Sequence, residues 1–333
     1  MLSFFTIPKA FTGRAAVQQR NAIQSWLRLS PDCEVFLLGD DPGVAEAARE
    51  LGARHLPNVS RNEFGTPLLN SAFSIVADHA SRPFLCYVNA DILITPDFLE
   101  AIRRIPFRRF LAIGRRQDLD LDLPWDFAPA DWATRLKKHT EEKGTLHPPA
   151  GSDFFVFPRG DKLGILPPFA VGRPWWDNWM IQNAFRLRAP IVDITDFALV
   201  VHQNHDYSHI PVRTSDSSSD GPEGDRHSRM TGPTRYIFTL LDATHYITNE
   251  GRVHSTFTPK KPHFRRRFLR WRICHPIPFV MIGLMEILAS RVKRCFIPYP
   301  KGYTPPPFLQ QVRNLLHLAE SSPFPIHPDK DSK

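Results

Sequence analysis

The feature that most constrains the fold of this chain is the alternation of short apolar runs with amphipathic helical stretches. The apolar runs are LSFFTI, EVFLLGDD, FLCYVNADILI and RFLAIG, which begin at residues 2, 34, 84 and 109. Between them apolar residues repeat at intervals of three and four, as in Val44, Ala47, Ala48 and Leu51. Because parallel strands need helical crossovers, this pattern predicts an α/β fold, a mostly parallel sheet with helices on both faces.

The composition is that of an ordinary globular protein. Of the 333 residues, 42% are hydrophobic and 23% are charged, so the chain can bury a core without disulfides. Its four cysteines form no closely spaced pair, which indicates reduced thiols in a cytosolic protein, although a framework of distant pairs stays open. The opening MLSFFTIPKAF has no basic leader, so we expect no signal peptide.

The net charge of +8 is concentrated in one late segment. Residues 252 to 301 hold twelve Lys or Arg against the single acid Glu286, and the rest of the chain is mildly acidic. With this distribution the body of the chain has no basic stripe to follow a phosphate backbone. We therefore expect no nucleic-acid partner.

Within that segment, residues 264 to 294 place arginines and aromatic residues around an apolar stretch. The stretch, 277 to 289, is 13 residues long and contains Glu286, whereas about 20 residues are needed to cross a bilayer. Two interpretations stay open: an amphipathic helix lying on an anionic membrane surface, or a C-terminal helix packed on the domain. The predicted organisation is a globular domain over 1 to 251, a basic helical segment over 252 to 300 and a Pro-rich flexible tail over 301 to 333.

Polar residues follow the strands at the edge where parallel sheets bind ligands. They are Thr6 with Lys9, Asp40 with Asp41, Asn89 with Asp91, and Arg115 with Arg116. Neither G-x-G-x-x-G after the first strand nor a Walker A loop is present, which excludes the common dinucleotide and P-loop sites. We expect these polar residues to converge on one site at the carboxyl ends of the strands.

Five sequences, taken in order and spacing, resemble those of GT-A type nucleotide-diphospho-sugar glycosyltransferases of the family 2 kind. They are GTPLLNSAFSIVADHA, YVNADILI, GSDFFVFPR, GRPWWDNWMI and LVVHQNHDY, all within residues 3 to 207. YVNADILI is similar to the strand end that carries the D-x-D motif of that family, with Asn89 in place of the first acid. The resemblance implies the GT-A fold over 1 to 251. It also implies transfer of a sugar from a nucleotide-diphosphate donor, with UDP favoured, to a hydroxyl on a glycan, lipid or protein.

The resemblance also implies roles for individual residues. Asp91, with His202 or His205, would hold Mn²⁺ or Mg²⁺, and an imidazole ligand favours Mn²⁺. Asp177 would be the base that takes the proton of the acceptor hydroxyl in an inverting reaction, which is favoured slightly over a retaining one that the same resemblance admits. The donor would contact Thr6, Asp40, Asn70, Asn89 and Asp91, and the donor sugar or acceptor would contact Asp153 and Trp176.

Plainer alternatives to these roles stay open. Asp91 could cap the helix that follows it. Asp40 stands in GDDPG, which is equally typical of a turn. Asp177 could be an acid favoured by a helix dipole among core tryptophans, and Arg115 and Arg116 could meet a phosphate or simply be solvated.

Residues 212 to 233 are rich in Ser, Asp and Gly and have no apolar periodicity, which predicts a flexible surface loop. A lid that orders over the bound donor is the alternative, and it would bring Glu223 and His227 to the site. The following YIFTLLDATHYIT is predicted to be helical and to return the chain to the core.

Two other functional classes are alternatives to a glycosyltransferase. A binding or scaffold protein that has kept the fold and lost catalysis is favoured by Asn89, and disfavoured by the presence of Asp91, Asp177 and His202. A sugar nucleotidyltransferase would need a Gly-rich loop bearing a Lys near the N-terminus, which this sequence lacks. The sequence therefore favours an enzyme of the cytoplasm, with peripheral attachment to a membrane as a further expectation.

Overall fold

The computed structural model describes residues 1–205, 221–232 and 238–256, all within one compact unit, Met1–Arg265. The helices in these ranges are α1 (Gly13–Leu27), α2 (Val44–Leu51), α3 (Leu69–His79), α4 (Asp97–Arg104), α5 (Trp132–Lys143), α6 (Trp176–Arg186) and α7 (Gly221–Thr231). The strands are β1 (Leu2–Thr6), β2 (Glu34–Leu38), β3 (Arg54–Leu56), β4 (Phe84–Val88), β5 (Ile92–Ile94), β6 (Leu111–Ile113), β7 (Gln117–Leu119), β8 (Thr145–Leu146), β9 (Phe154–Pro158), β10 (Ile191–Asp193), β11 (Val200–Gln203), β12 (His245–Ile247) and β13 (Val253–Ser255).

The larger sheet has the strand order β13-β12-β10-β6-β9-β4-β1-β2-β3. Most neighbours are parallel, as the β-α alternation predicts. Two strands break the pattern: β9 runs antiparallel to both β4 and β6, and β13 runs antiparallel to β12. The predicted mostly parallel sheet is confirmed, with β9 inserted between two strands that the alternation alone would pair.

Helices cover both faces of this sheet because successive residues of a strand point to opposite sides. On one side Phe4 packs against Trp26 of α1 and Phe98 of α4, with ring centroids 6.0 and 6.2 Å apart. On the other side Phe5 packs edge-on against Phe73 of α3 at 4.9 Å. Every residue of β1 is buried, including the polar Ser3 and Thr6, and this two-sided burial confirms the predicted layers.

The apolar run FLCYVNADILI forms two strands rather than one. β4 ends at Val88 in the larger sheet, and β5 begins at Ile92 in a smaller sheet of order β5-β11-β7-β8. Residues 89 to 91 are the crossing between the sheets. This smaller sheet packs α5 through a core of its own, which includes Leu93, Leu136 and Val201.

The second half of the described chain corrects two predictions. Residues 221–231, expected to lie in a loop, form α7, for which Pro222 and Glu223 in the first turn are typical helix-start residues. The stretch expected to be helical contains a 3₁₀ turn (Leu240–Asp242) and then β12, which pairs with β10. β-sheet pairing with a neighbour distant in sequence has overridden the local helical pattern here.

Several smaller expectations can also be compared with the structure. Gly52 ends α2 with a φ of 80°, a left-handed conformation suited to glycine, as predicted. Cys33 and Cys86 are free thiols, and Cys274 and Cys295 lie outside the described residues. Among the described helices, none has both the length and the apolar character needed to cross a membrane. Residues 252 to 256, predicted to begin the basic helical segment, are described and contain β13, a strand that pairs with β12 and extends the larger sheet. The rest of that segment, 257 to 300, and the Pro-rich tail lie outside the described residues.

Candidate functional site

A cavity of about 610 Å³ opens at the carboxyl ends of β1, β4 and β11. Thr6 contributes from the end of β1, Asn89 and Asp91 from the crossing after β4, and His202 and His205 from β11 and the residues after it. Asp153, just before β9, completes this set. The structure therefore brings together six of the predicted site residues, which come from four separate parts of the chain.

Asp91, His202 and His205 form what we call the metal cluster. One ligand atom from each lies within 4.8 Å of the others. His205 Nε2 is 3.1 Å and His202 Nε2 is 3.7 Å from the same oxygen, Asp91 Oδ2. The other oxygen, Asp91 Oδ1, is buried and has no hydrogen-bond partner among the described residues. A buried carboxylate that has one oxygen without a donor and two imidazole nitrogens near the other oxygen fits a divalent cation.

The electrostatics of the cluster also suit a cation. Burial acts to raise the pKa of Asp91, but the hydrogen bond with His205 and the neighbouring imidazoles outweigh it, so the pKa lies below its usual value. Burial lowers the pKa of His202. At neutral pH the cluster thus offers an ionised carboxylate and a neutral imidazole, which are the protonation states that bind metals.

Strand pairing explains why these three residues meet. In the antiparallel pair of β5 and β11, His202 lies opposite Ile92, the residue after Asp91. The backbone N–H of Gln203 and its side-chain amide both donate to the carbonyl of Asp91, at 3.2 and 3.1 Å. Asp91 precedes β5, and α4 begins only at Asp97, so Asp91 does not cap that helix.

Asn89, which stands at the first position of the D-x-D-like motif, points to a second carboxylate. Its Nδ2 donates to Asp153 Oδ1 at 2.8 Å, and its backbone N–H donates to the carbonyl of Asp153 at 2.9 Å. Arg116 Nη1 donates to the other oxygen, Asp153 Oδ2, at 2.5 Å. Asp153 therefore reaches the cavity from β9 with both carboxylate oxygens already engaged, and Asn89 holds it there.

No protein-family model matches the chain, and no curated protein matches it in sequence. Among solved structures it is similar to glucosyl-3-phosphoglycerate synthase from Mycobacterium tuberculosis, in complex with Mn²⁺, UDP and glucosyl-3-phosphoglycerate. That match has 14% identity and a TM-score of 0.42, and it covers 77% of this chain and 86% of the other.

Two further structures are similar to this chain. A mannosyltransferase from Pyrobaculum calidifontis, in complex with GDP-Man and Mn²⁺, matches at 13% identity and a TM-score of 0.38, over 64% of this chain and 57% of its own. GalNAc-T7 with UDP, GalNAc and Mn²⁺ matches at 15% identity and a TM-score of 0.43, over 69% of this chain and 48% of its own.

The cavity wall next to β1 is held by a polar face of α1 that the sequence did not reveal. Gln19 Oε1 accepts from the backbone N–H of Lys9 at 2.7 Å, and Gln19 Nε2 donates to the carbonyl of Lys9 at 3.0 Å. Thr6 is fully buried, and its Oγ1 has no hydrogen-bond partner among the described residues. The side-chain amide of Gln19 pairs with the backbone of Lys9 as a neighbouring strand would, and it fixes the loop that follows β1.

Four of the predicted site residues lie off the cavity lining: Asp40, Asn70, Trp176 and Asp177. Asp40 is exposed and paired with Arg61 at 2.5 Å, in keeping with its alternative as a turn acid, while its neighbour Asp41 lines the cavity. The ring of Trp176 packs in the core. Asn70 lies in the first turn of α3.

Trp176 and Asp177 begin α6 beneath this region. The Trp176 ring lies 4.9 Å from that of Tyr87 and 5.0 Å from that of Phe155. Burial raises the pKa of Asp177, and the nearby charge of Asp153 adds to the effect despite hydrogen bonds from the backbone. Tyr87 also lines the cavity. The sequence did not predict this, because Tyr87 stands in the apolar strand β4 and was expected to lie in the core.

Helix α7 is fastened to the cavity wall by two side chains, and we call this contact the α7 clasp. Glu223 Oε1 accepts from Asn62 Nδ2 at 2.6 Å, and Glu223 Oε2 accepts from Arg173 Nε at 2.7 Å. His227 Nε2 accepts from the backbone N–H of Ala170 at 2.8 Å. His227 Nδ1 donates to the carbonyl of Pro174 at 2.9 Å. The lid alternative predicted that Glu223 and His227 lie at the site. In the structure they hold the segment around Arg173, and Arg173 lines the cavity.

Proposed function

We propose that this protein is a glycosyltransferase that moves a sugar from a nucleoside-diphosphate donor, with UDP favoured, to a hydroxyl of a glycan, lipid or protein. The observation that carries the proposal is the metal cluster: Asp91, His202 and His205 converge within 4.8 Å at the ligand-binding edge of an α/β sheet. A site of this kind suits a substrate that carries a diphosphate.

The cation that fits the cluster is Mn²⁺ rather than Mg²⁺, because two of the three ligands are imidazoles. When bound, such a cation supplies positive charge to the departing diphosphate. Lys9, Arg14 and Arg116 also line the cavity as basic groups, with Arg116 already paired to Asp118 and Asp153 and Arg14 paired to Asp122. Arg14 lies in the first turn of α1, where the helix dipole favours a phosphate.

We further propose that Asp177 is the base in an inverting reaction and that Asp153 orients a sugar or acceptor hydroxyl. A carboxylate whose pKa is raised by burial is a stronger base once it is ionised, which suits removal of a proton from a hydroxyl. Asp153 lines the cavity and lies near enough to Asp177 for their charges to interact. We propose that Thr6, Asn89 and Asp91 contact the nucleotide-sugar donor, as predicted, and that Asp41 contacts it instead of Asp40.

A catalytically inactive binding protein is the second candidate, and one observation favours it. The amide of Asn89 is occupied by Asp153 instead of facing a cation, so the cluster has a single carboxylate. Such a protein would bind nucleotide and Mn²⁺ without turnover.

A donor screen separates these candidates. Nucleotide release is measured across UDP-, GDP- and CMP-sugars, with and without Mn²⁺, and binding of Mn²⁺ and UDP is measured by calorimetry in parallel. We expect Mn²⁺-dependent release of UDP from one donor. Binding without release from any donor would favour the inactive protein, and the absence of both would exclude the proposed function.

The basic segment, 264 to 294, gives a further proposal about the acceptor, namely that the enzyme works beside an anionic membrane, as in polysaccharide assembly. Its clustered arginines support this, since each basic residue near such a surface contributes about 1 kcal/mol. Flotation with anionic liposomes would compare the intact chain with one ending at residue 256, after β13. Equal flotation of the two would exclude a role for the segment.

A further inference from the structure

Asp118 lies on β7, beside the metal cluster but outside the cavity lining. In the parallel pair of β11 and β7 it is the register partner of His202. Any effect of Asp118 on a ligand in the cavity would therefore pass through another side chain.

The imidazole of His202 lies between two carboxylates. Its Nε2 faces Asp91 Oδ2 at 3.7 Å, and its Nδ1 faces Asp118 Oδ1 at 3.3 Å. His202 is 4% exposed, and its Nδ1 makes no hydrogen bond of good geometry, so Asp118 Oδ1 is an acceptor within reach of a buried nitrogen. A histidine that binds a metal through one nitrogen carries its proton on the other, and a carboxylate partner stabilises that tautomer.

We propose that Asp118 is a positioning residue, which keeps the proton of His202 on Nδ1 and turns Nε2 towards Asp91. The proposal rests on the metal-assisted function argued above.

Asp118 is itself held in place by two donors. Arg116 Nε donates to Oδ1 at 2.8 Å, and His147 Nδ1 donates to Oδ2 at 2.7 Å. Arg116 also donates to Asp153, so its guanidinium links Asp153 to Asp118. The competing explanation is that Asp118 only joins β7 to His147 and has no effect on the cluster.

The test is Mn²⁺ affinity of the full chain, followed by the electron paramagnetic resonance of free Mn²⁺, with and without UDP. Asp118→Asn keeps the shape of the side chain but removes its charge and one acceptor oxygen. We expect Mn²⁺ to bind about 10- to 100-fold more weakly. The thermal midpoint should also fall, since the amide leaves Arg116 or His147 without an acceptor, so Mn²⁺ affinity is compared at a temperature at which both proteins are folded. Asp120→Asn is the matched control, since Asp120 accepts from Asn204 at 2.9 Å instead.

Equal Mn²⁺ affinity in Asp118→Asn and the wild type would overturn the positioning role and leave the proposed function intact. A wild type that binds no Mn²⁺ would overturn both, and that result needs no variant to be seen.

A second measurement does not depend on the folding of an Asp118 variant. Long-range ¹H–¹⁵N spectra of the metal-free wild type report which nitrogen of His202 is protonated, with the signal assigned by its loss in His202→Gln. We expect the proton on Nδ1. A proton on Nε2 would overturn the proposal.

Discussion

The metal cluster and the α7 clasp each contain a buried histidine, and the two histidines differ in how their nitrogens are used. In the clasp, both nitrogens of His227 form hydrogen bonds with the backbone. In the cluster, His202 Nε2 is 3.7 Å from Asp91 Oδ2, beyond hydrogen-bond distance, and Asp91 Oδ1 is buried with no hydrogen-bond partner among the described residues. Burying a polar atom without a partner costs stability, so a fold retains such an atom mainly where a ligand completes it. We therefore expect the α7 clasp to stabilise the fold and the metal cluster to bind a ligand.

The largest effect is expected from Asp91→Asn, which removes the carboxylate charge of the cluster. We expect kcat/KM for nucleotide-sugar turnover to fall about a thousandfold, since charge stabilisation by a cation contributes several kcal/mol. Glu223→Gln is the matched carboxylate in the clasp, and we expect it to lose less than tenfold. Equal losses in both variants would break the distinction between the two regions.

Asp177→Asn should come next, with a loss of about a hundredfold in kcat if Asp177 is the base. The same variant should be more stable than the wild type at neutral pH. The folded-state pKa of Asp177 is raised, so its protonated form contributes stability below the ordinary value of about 3.8, and that contribution is lost as pH rises through the folded value.

Thermal midpoints measured across pH check this second part. The advantage of Asp177→Asn should be present at pH 7 and shrink as pH falls. A constant difference at all pH values would show that the carboxyl group is not strained by burial.

A smaller effect is expected from His227→Gln in the clasp. Glutamine cannot serve both Ala170 and Pro174 in the same geometry, so we expect about 1 to 3 kcal/mol of lost stability and less than a tenfold change in kcat/KM. Urea denaturation and steady-state kinetics measure the two quantities. A large loss of activity with normal stability would show that His227 contributes directly to activity instead of stabilising the clasp.

The smallest effect is a pH dependence of the clasp itself. Burial lowers the pKa of His227, so the neutral form contributes stability above the ordinary value of about 6.5, and the contribution is lost as pH falls through the lower folded value. Protonation also removes the acceptor that Nε2 offers to Ala170. Hydrogen exchange at the Ala170 amide should therefore lose protection in acid, after correction for intrinsic rates, and should not do so in His227→Gln.

The first half of the fold could be predicted from the sequence because its signals are local. The helices and most strands up to β6 carry clear apolar periodicity, and Gly52 marks a helix end. The exception is β3, Arg54–Leu56, whose three residues carry no apolar pattern and were not predicted to form a strand. β9 could not be placed, because its position between β4 and β6 depends on pairing across more than 40 residues. Asn89 and Asp91 mark where the run FLCYVNADILI divides, but nothing local shows that the second piece joins another sheet.

The candidate site could be predicted in part for the same reason. Strand ends gave Thr6, Asn89 and Asp91, and the family resemblance added Asp153 and the two histidines. Asp118 and Gln19 were missed because one is a single acid in a run of alternating Asp and Leu, and the other is a polar residue inside a helix. Their roles appear only when the strands and helices are packed together.

The crossing from residue 89 to residue 91 is fastened at both ends, by Asp153 to Asn89 and by Gln203 to Asp91. A tether this short allows different side chains but not a different number of residues. One glycine inserted between Ala90 and Asp91 would leave Asn89, Ala90 and Asp91 in the sequence but would move the Asp91 carboxylate away from His202 and His205. The number of residues in this crossing, more than the identity of the first one, fixes where Asp91 lies, and an amide at position 89 is compatible with that.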